Sequence, residues 1–343
     1  MRATPNTSAY VKDLLVQPTS LRRVRMQDVS AALEPLGKNI NAFRRIILTG
    51  MGSSHAALRP LWLALVEAGI TAWRVDSAEC LGHCLSLVDD NTLVVAASQS
   101  GRSAELVALS DEVRGRGGSL LAITNDIESP LARNADAVID IGAGIETAVS
   151  TKTYLNTLAV GVILERIFLD RGEGPSLDRV ADAIEGYLMD WRHRVERMKE
   201  ATGLPERLYF LARGSSLAAA EYGALIVKEA ARWPVEAQSV PQFRHGPLEL
   251  ADPRLTIVLL SGGAGLAREQ NHVLHGDLKR YGARSFWLDT ASEDVAFSIP
   301  ACDDALRPIL EVLPLQLFSI ALAEQSGVTP GAFRHLEKVT TVL

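Results

Sequence analysis

An internal repeat is the feature of this sequence that most constrains its fold. The segments "RRIILTGMGSSHAALRPLWLALVEAG" (44–69) and "ERLYFLARGSSLAAAEYGALIVKEAA" (206–231) both run from a short apolar strand through Gly-Ser-Ser into an alanine-rich helix. Strand and helix patterns alternate along each half, with further predicted strands at 72–75, 93–97, 120–124, 137–141, 256–260 and 284–288. Such alternation is typical of right-handed βαβ crossovers in parallel sheets covered on both faces. We therefore predict an α/β fold with two doubly wound parallel-sheet domains in tandem.

The bounds of these domains follow from where the patterns begin and end. A chain of 343 residues with 47% apolar side chains can bury two cores. We predict an N-terminal helical segment at 1–40, a first domain at 41–170, a linker helix at 171–204, a second domain at 205–330 and a tail at 331–343. The helices of the N-terminal segment are expected to pack on the sheet or on a partner subunit.

Composition excludes several classes of function. The formal net charge of −6 leaves no basic surface for nucleic acid or for an anionic membrane. The sequence has no uninterrupted apolar run of about eighteen residues, and its start, "MRATPNTSAYVKDLL", carries no apolar signal segment. We therefore expect a cytoplasmic protein that binds neither nucleic acid nor a membrane.

Cysteine and histidine patterns give little sign of a metal. The three cysteines are too few for a disulfide framework in a chain of this size. Cys80, His83 and Cys84 could face a metal from one helical turn, but no second ligand pair follows at zinc-like spacing. His272 and His275 lie on a predicted helix and are expected on its solvated face. We predict no metal and no cofactor.

A cluster of polar side chains follows the strand at 93–97. Ser98, Gln99, Ser100 and Ser103 surround Gly101 in "TLVVAASQSGRSAELVAL" (92–109), between the strand and a predicted helix. In open α/β sheets ligands bind beyond the carboxyl ends of strands, and helix N-termini attract anions. One hydroxyl is enough for an ordinary helix cap. The corresponding loop of the second half, "IVLLSGGAGLARE", carries glycines instead, so we expect only the first half to hold an anion such as a phosphate.

A dinucleotide site is the alternative for this half of the chain. The turn "GMGSSH" begins like Gly-x-Gly-x-x-Gly, and Asp76 lies about where a ribose-binding acid would be. His55 stands where the third glycine belongs, however, and the corresponding turn of the second half lacks the first glycine. The pattern therefore disfavours a nicotinamide oxidoreductase.

Four segments together resemble the sugar isomerase (SIS) family. They are "SQSGRS", "VSTKTY" (149–154), "KEAARWPVEAQSVPQFRHGPLEL" and the C-terminal "LEKVTTVL". The resemblance extends over nearly the whole chain from about residue 41 and is closest to the isomerase half of glucosamine-6-phosphate synthase and its stand-alone relatives, which include deaminases. It implies two flavodoxin-like SIS domains, the first of which binds a phosphosugar.

The resemblance also implies which residues bind the sugar phosphate. Its phosphate would lie among the polar side chains of the loop after the strand at 93–97, and two further serines would close the sugar end. The implied binding residues are Ser54, Ser98, Gln99, Ser100, Ser103 and Ser150.

Three catalytic residues follow from the same resemblance. Glu229 would move a proton between C1 and C2 of the open-chain sugar, and His245, supplied by the neighbouring subunit of a homodimer, would help open the ring. Lys338 would hold a ketose as a Schiff base, and Glu236 matches a further family glutamate near this loop. Proton transfer between adjacent carbons does need one carboxylate, and ring opening needs an acid–base group. Each residue also has an ordinary explanation: a solvated helix end, a loop histidine or an exposed tail lysine.

Some positions depart from the family pattern. Ile226 stands where the family has a lysine one turn before the catalytic glutamate, and Glu221 lies one position early. The segment before "VSTK" is one residue shorter than usual, and the tail before Lys338 also differs. These departures leave the sugar open.

Three classes of function therefore compete: a phosphosugar isomerase or amino-sugar-phosphate deaminase, a non-catalytic sugar-phosphate sensor, and the disfavoured oxidoreductase. A sensor usually carries a helix-turn-helix reader, for which "SLRRVRMQDVSAALEPLGKNI" is too short. The sequence starts Met1-Arg2-Ala3, without the cysteine-led amidotransferase domain that supplies ammonia in the synthase. We therefore expect the deaminating direction, from an amino-sugar phosphate to a ketose phosphate and ammonia, with simple aldose–ketose isomerisation as the alternative.

Overall fold

The computed structural model describes residues 8–37, 39–172, 174 and 176–335. Nine strands are described there: β1 (Arg45–Gly50), β2 (Ala72–Asp76), β3 (Thr92–Ser98), β4 (Ser119–Thr124), β5 (Ala137–Asp140), β6 (Arg207–Ala212), β7 (Glu236–Ser239), β8 (Leu255–Leu260) and β9 (Arg284–Leu288).

The described α-helices alternate with these strands. They are α1 (Ala9–Leu15), α2 (Gln17–Leu21), α3 (Met26–Leu33), α4 (Gly52–Ala57), α5 (Arg59–Glu67), α6 (Ser77–Glu79), α7 (Ala104–Gly115), α8 (Pro130–Asn134), α9 (Lys152–Phe168), α10 (Leu177–Leu188), α11 (Trp191–Thr202), α12 (Leu217–Ala231), α13 (Val240–Arg244), α14 (Leu266–Arg280) and α15 (Arg307–Gln325). Short 3₁₀ turns and one π-helical turn, Cys80–Cys84, connect some of them.

The chain forms two compact units, and the described residues of the first unit lie within 19–146 and 150–177, together with His335. Its five strands form one sheet in the order β2-β1-β3-β4-β5, with every pairing parallel. The central strand β3 is buried along its whole length. A strand covered on both faces needs a continuous apolar run, which explains why this one was evident in the sequence.

The second unit comprises residues 8–18, 147–149 and 178–334. Its sheet has the order β7-β6-β8-β9 and is also parallel throughout. The predicted fold class, two doubly wound parallel sheets with flanking helices, is thus confirmed. Strand β7 was not predicted, because its four residues, EAQS, carry no apolar run; among the described strands it lies at the edge of the sheet, where it pairs with β6.

Helix α15 forms the centre of the second unit and is buried over most of its length. The segment Asp304–Gln325, which contains this helix, is long and apolar enough to cross a membrane, but 94% of its most apolar stretch is buried inside the protein. It packs against α12, where Gly223 makes room for Leu315: a Cβ on Gly223 would lie 2.5 Å from Leu315 Cδ1. The helix is therefore a core element.

Two expectations about helical segments need adjustment. The segment expected to form a single linker helix forms two, α10 and α11, which are separated by a turn at Met189 and Asp190. The N-terminal segment is helical, and Tyr10 of α1 is fully buried, with its hydroxyl 2.9 Å from Ser319 Oγ on α15. The first helix therefore belongs to the core of the second unit.

Candidate functional site

The loop Ser98–Ser103, which we call the serine loop, leaves the carboxyl end of β3 and leads into α7. Ser98 Oγ accepts a hydrogen bond from the Gly101 N–H at 3.1 Å, and Ser100 Oγ accepts one from the Arg102 N–H at 3.2 Å. A hydroxyl that accepts a bond still has its own proton to donate. These two serines can therefore shape the loop and donate to an anion at the same time.

Gly101 is required by the geometry of the serine loop. Its φ is +60°, and a Cβ built on it would lie 2.0 Å from Ser129 Oγ. The Gly101 carbonyl also accepts a bond from the Leu131 N–H at 3.1 Å, which ties the loop to the start of α8. Any other residue would face both backbone strain and a collision with Ser129.

Ser103 occupies the N-cap position of α7 but its side chain makes no capping hydrogen bond. Its carbonyl accepts the Val107 N–H at 3.0 Å, as in the first turn of any helix. The side chain of Ser103 therefore does not cap α7. Gln99 and Ser100 are half-buried beside it.

A cation in the serine loop was not singled out from the sequence. Arg102 donates to Asp126 Oδ2 through Nε at 3.2 Å and Nη2 at 2.7 Å, just beyond the end of β4. The bonds from Arg102 lower the pKa of the Asp126 carboxyl below its usual range. This ion pair joins the loop after β3 to the loop after β4.

Ser54 lies at the same edge of the sheet as the serine loop. It is the third residue of α4, which follows β1, and β1 pairs with β3 so that Gly50 is opposite Ala97. Its side chain is half-buried. The parallel pairing brings the predicted binding residues after β1 and β3 to one edge of the sheet.

Ser150 precedes α9, and its loop is also tied to this edge. The Asn125 side chain, just after β4, donates to the Gly144 carbonyl at 2.9 Å and accepts from the Ala143 N–H at 2.8 Å. Ser150 Oγ lies 2.8 Å from Thr153 Oγ1. The start of α9 therefore lies beyond the carboxyl end of the sheet, where the ligand was predicted.

Glu146 organises the start of α9, although it was not among the predicted site residues. It is only 5% exposed, and its carboxylate accepts bonds from Thr151 and Thr153. A glutamate followed by threonines at the start of a helix is a signal that could have identified it.

Glu229 is half-buried near the end of α12. The adjacent Ala230 carbonyl accepts a bond from the Gly331 N–H at 3.2 Å, and Arg232 Nη2 donates to the Ala332 carbonyl at 2.8 Å. The segment that leads to the C-terminal tail thus runs beside Glu229. Lys338 lies outside the described residues.

Tyr10 lies within electrostatic reach of Glu229. Burial raises the pKa of the Tyr10 phenol, its bond with Ser319 opposes this, and the negative charge of Glu229 raises it further. Nearby, Ile226 is 1% exposed and Glu221 is half-buried. The position where the family has a lysine is therefore part of the apolar core in this chain.

His245 lies just after α13 and is exposed. It lines an open pocket of about 670 Å³ with two arginines, Arg213 and Arg244, and the apolar side chains Leu266 and Val273. Leu266 is 67% and Val273 59% exposed on α14, which is unusually high for such residues.

Glu229 and His245 lie at opposite ends of the second sheet. Helix α12 starts beyond the carboxyl end of β6 and runs back, so that Glu229, twelve residues after Leu217, lies about 18 Å further along the helix axis. Strand β7 then runs parallel to β6 and ends opposite Ala212, before α13 and His245. The chain brings Glu229 to the amino end of this sheet and His245 to its carboxyl end.

Two further points concern possible metal ligands and the histidines of α14. Among residues 8–37, 39–172, 174 and 176–335, no group of three or more His, Cys, Asp or Glu side chains is arranged to hold a metal ion. The expectation that His275 lies on a solvated face is wrong: it is 7% exposed, and its Nδ1 lies 2.8 Å from Ser285 Oγ. Burial lowers the pKa of this imidazole to about 4.

Comparison with proteins of known sequence finds relatives that are considerably longer than this chain. The glutamine–fructose-6-phosphate aminotransferase (isomerizing) of Symbiobacterium thermophilum is 31% identical over 362 residues, which span 97% of this chain and 58% of that protein. The enzyme of the same name from Pyrobaculum aerophilum is 28% identical over 345 residues, 97% of this chain and 57% of that protein. The chain thus spans less than two thirds of the length of these curated relatives.

Solved structures share the fold. Glucosamine-6-phosphate deaminase from Thermotoga maritima aligns with a TM-score of 0.77 at 20% identity, covering 97% of this chain and 99% of that chain. Tagatose-6-phosphate ketose/aldose isomerase from Escherichia coli aligns with a TM-score of 0.79 at 20% identity, covering 96% of both chains. The family model described as the SIS domain matches residues 40–164 and 205–323, well over half of the chain. The protein therefore belongs to the SIS domain family.

Proposed function

We propose that this protein is a phosphosugar enzyme that deaminates an amino-hexose 6-phosphate to a ketose 6-phosphate and ammonia. The observation that carries the proposal is the serine loop. Ser98 and Ser100 accept backbone bonds with their oxygens and so have protons to donate, beside the N-terminus of α7. Neutral donors at a helix N-terminus suit a phosphate dianion in a protein of negative net charge.

Glu229 is the base in this proposal. In the open-chain aldehyde it takes the proton from C2 and returns it to C1, so that the enolamine becomes an imine at C2. Water then adds to the imine, and the C–N bond breaks to release ammonia and leave the ketose. A half-buried carboxylate beside a buried phenol and the incoming tail suits this proton transfer.

His245 acts across a homodimer in this proposal. Because Glu229 and His245 lie at opposite ends of one sheet, one chain cannot bring both to a single sugar. The exposed Leu266 and Val273 beside His245 give a second copy of the chain an apolar surface to cover.

Proteins similar to this chain help to decide between deamination and simple isomerisation. The similarity to a glucosamine-6-phosphate deaminase and to enzymes named for transfer of an amino group supports an amino sugar as the substrate. Simple isomerisation is the second candidate, because the buried Ile226 provides no ammonium where the family has a lysine. The fold also occurs in a ketose/aldose isomerase.

A substrate panel tests the proposal. Purified protein is incubated with glucosamine, galactosamine, glucose, galactose and mannose 6-phosphates, and both ketose formation and ammonia release are measured. We expect ammonia from one of the amino sugars. Conversion of a plain aldose phosphate without ammonia from any amino sugar would favour simple isomerisation, and no conversion of any sugar would contradict the enzyme proposal.

A mixing experiment tests the shared site. Glu229→Gln and His245→Ala proteins are each expected to be inactive, but a mixture that exchanges subunits regains one intact site per mixed dimer. Activity of the mixture should approach a quarter of the wild-type value if half of the dimers are mixed. A mixture as inactive as its components, with exchange verified by mass spectrometry, would place His245 in its own chain's site or outside catalysis.

A further inference from the structure

A carboxylate from a distant segment of the second unit lies at the N-terminus of α14. The N-cap residue of this helix, Gly265, has no side chain that could cap it. The preceding Ala264 N–H donates instead to Asp304 Oδ2 at 3.1 Å, forty residues further along the chain. The positive end of a fifteen-residue helix thus faces a negative charge that the helix itself does not supply.

Gly263 allows this carboxylate to approach the backbone closely. A Cβ on Gly263 would lie 2.7 Å from both Cγ and Oδ2 of Asp304 and 3.0 Å from its Oδ1. Both oxygens of the carboxylate therefore lie against the loop between β8 and α14. Sulfate and phosphate groups present the same kind of charged oxygens to backbone N–H groups at helix N-termini.

A buried arginine lies beside the carboxylate with one donor unused. Arg307 is 6% exposed, and its Nη1 and Nη2 atoms donate to Asp289 Oδ1 at 3.3 and 2.9 Å. Its Nε atom has no hydrogen-bond partner in the described part of the chain and lies 3.9 Å from Asp304 Oδ1, which is too far for a hydrogen bond. A buried donor without a partner costs stability. It points to an oxyanion that would reach further into the site than Asp304 does.

The ion pairs around this loop are balanced by Asp304. Arg268 and Arg307 both donate to Asp289, just after β9. Burial raises the pKa of Glu311 to about 7, so this carboxyl is largely protonated at pH 6. Asp304 thus supplies the second negative charge opposite the two arginines. Without it, one positive charge of these pairs would be left in excess.

We infer that the loop between β8 and α14 is an anion site of the second unit, and that the Asp304 carboxylate is its internal occupant. A small oxyanion, sulfate or a phosphate group, is the class of ligand that this site takes once Asp304 is removed. The Asp304 side chain is 61% exposed, so solvent reaches the carboxylate. The inference goes beyond the proposed function and is independent of it, because every residue involved belongs to the second unit.

Sulfate tests the site, because it stays a dianion at pH 6, where the experiment is done at constant ionic strength. Hydrogen exchange followed by mass spectrometry reports on the peptide that contains Ala264. In Asp304→Ala protein, saturating sulfate should slow this exchange about tenfold or more, the range of one hydrogen bond to a charged group. In the parent protein Asp304 already holds the Ala264 N–H, so sulfate should change the exchange little.

Two control variants show whether the effect belongs to this site. Asp303→Ala removes the same charge from the neighbouring position, whose side chain makes no capping bond, and should behave like the parent. Gly263→Ala combined with Asp304→Ala places a Cβ where the carboxylate was, so it should abolish the effect of sulfate. Thermal melting shows whether each protein is folded. Asp304→Asn, which keeps the shape but loses the charge, replaces Asp304→Ala if that protein does not fold.

The outcomes are distinct. If sulfate leaves the exchange of folded Asp304→Ala protein unchanged, or slows it equally in Asp303→Ala protein, Asp304 is an ordinary capping residue and the inference is overturned. An effect of sulfate that survives the added Gly263→Ala change also overturns it, because the anion would then bind elsewhere. Failure of every hexose 6-phosphate to bind or react would refute the proposed function and leave this result unaffected.

Discussion

The loops that follow the central strands of the two units differ in the polar groups that they present. After β3 in the first unit, the serine loop presents neutral hydroxyls with protons to donate. After β8 in the second unit, the Ala264 N–H already donates to Asp304 Oδ2 at 3.1 Å, and a Cβ on Gly263 would lie 2.7 Å from the same carboxylate. A carboxylate of the chain itself thus takes the place that an anionic ligand would have.

Buried charges complete this edge of the second unit. Asp289, just after β9, accepts from Arg307 at 2.9 Å and from Arg268. Although burial opposes it, the bonds from Arg268 hold the pKa of the Asp289 carboxyl below its usual value. One turn after Arg307, burial raises the pKa of Glu311 to about 7. The loop after β8 is thus filled by ion pairs of the chain itself, whereas in the serine loop Ser98 and Ser100 still have hydroxyl protons to donate.

The largest expected effect concerns chemistry, which we assign to the second unit. Glu229→Gln should lower exchange of the C2 proton with solvent by about 10²- to 10⁴-fold, because an amide cannot accept that proton. Binding of the sugar phosphate, which we assign to the first unit, should change little. Deuterium incorporation followed by NMR, together with calorimetry, measures both. The matched control is Glu221→Gln on the same helix, and equal losses in the two variants would deny Glu229 its role.

The next effect concerns binding at the serine loop. Ser98→Ala with Ser100→Ala should weaken binding of a hexose 6-phosphate about 100-fold, since each hydroxyl loses a bond to a charged oxygen and neighbouring losses are not fully additive. Ser261→Ala, in the corresponding loop of the second unit, should leave binding unchanged. Calorimetry on all three proteins decides this, and equal affinities would mean that the comparison between the two loops has no functional meaning.

A smaller effect concerns the backbone of the two loops. Gly101→Ala should lower the free energy of unfolding by about 1–3 kcal/mol, because its Cβ would meet Ser129 at a positive φ. Gly262→Ala in the second unit also has a positive φ, +74°, but the atoms nearest its Cβ would lie 3.9 Å away, so it should cost less. Urea unfolding measures both. If Gly262→Ala were as unstable as Gly101→Ala, the whole cost would come from the positive φ and none from the contact with Ser129.

The smallest effect is a dependence of stability on pH. Because the pKa of Glu311 is raised to about 7 in the folded protein, the unfolded chain releases this proton first, and stability falls as pH rises from about 4.5 towards 7. Glu311→Gln removes this loss and should gain about 1–2 kcal/mol on the parent protein between pH 5 and pH 8. Unfolding at the two pH values tests it, with the exposed Glu269→Gln as control. Parallel pH profiles for Glu311→Gln and the parent would be the contrary result.

The sequence predicted the parts of the molecule that depend on local pattern. The buried strand β3, the hydroxyls after it and the glycines of the second loop are all contiguous in the chain. Strand β7 was missed because an edge strand needs little apolar surface. The pairing of Asp289 with Arg268 and Arg307 could not be predicted, because a long-range ion pair leaves no periodic signal.

The burial of Tyr10 in the second unit has a consequence for the order of events during synthesis. Tyr10 is synthesised before the residues of the first unit, and its partner Ser319 lies 309 residues later. Residues 19–146 and 150–177, which make up most of the first unit, are synthesised long before α15, and domains can fold as they emerge. Until α15 has been synthesised, the apolar face of α1 has no α15 to pack against. Closure of the second unit is therefore a late, long-range step that begins only after α15 has been synthesised.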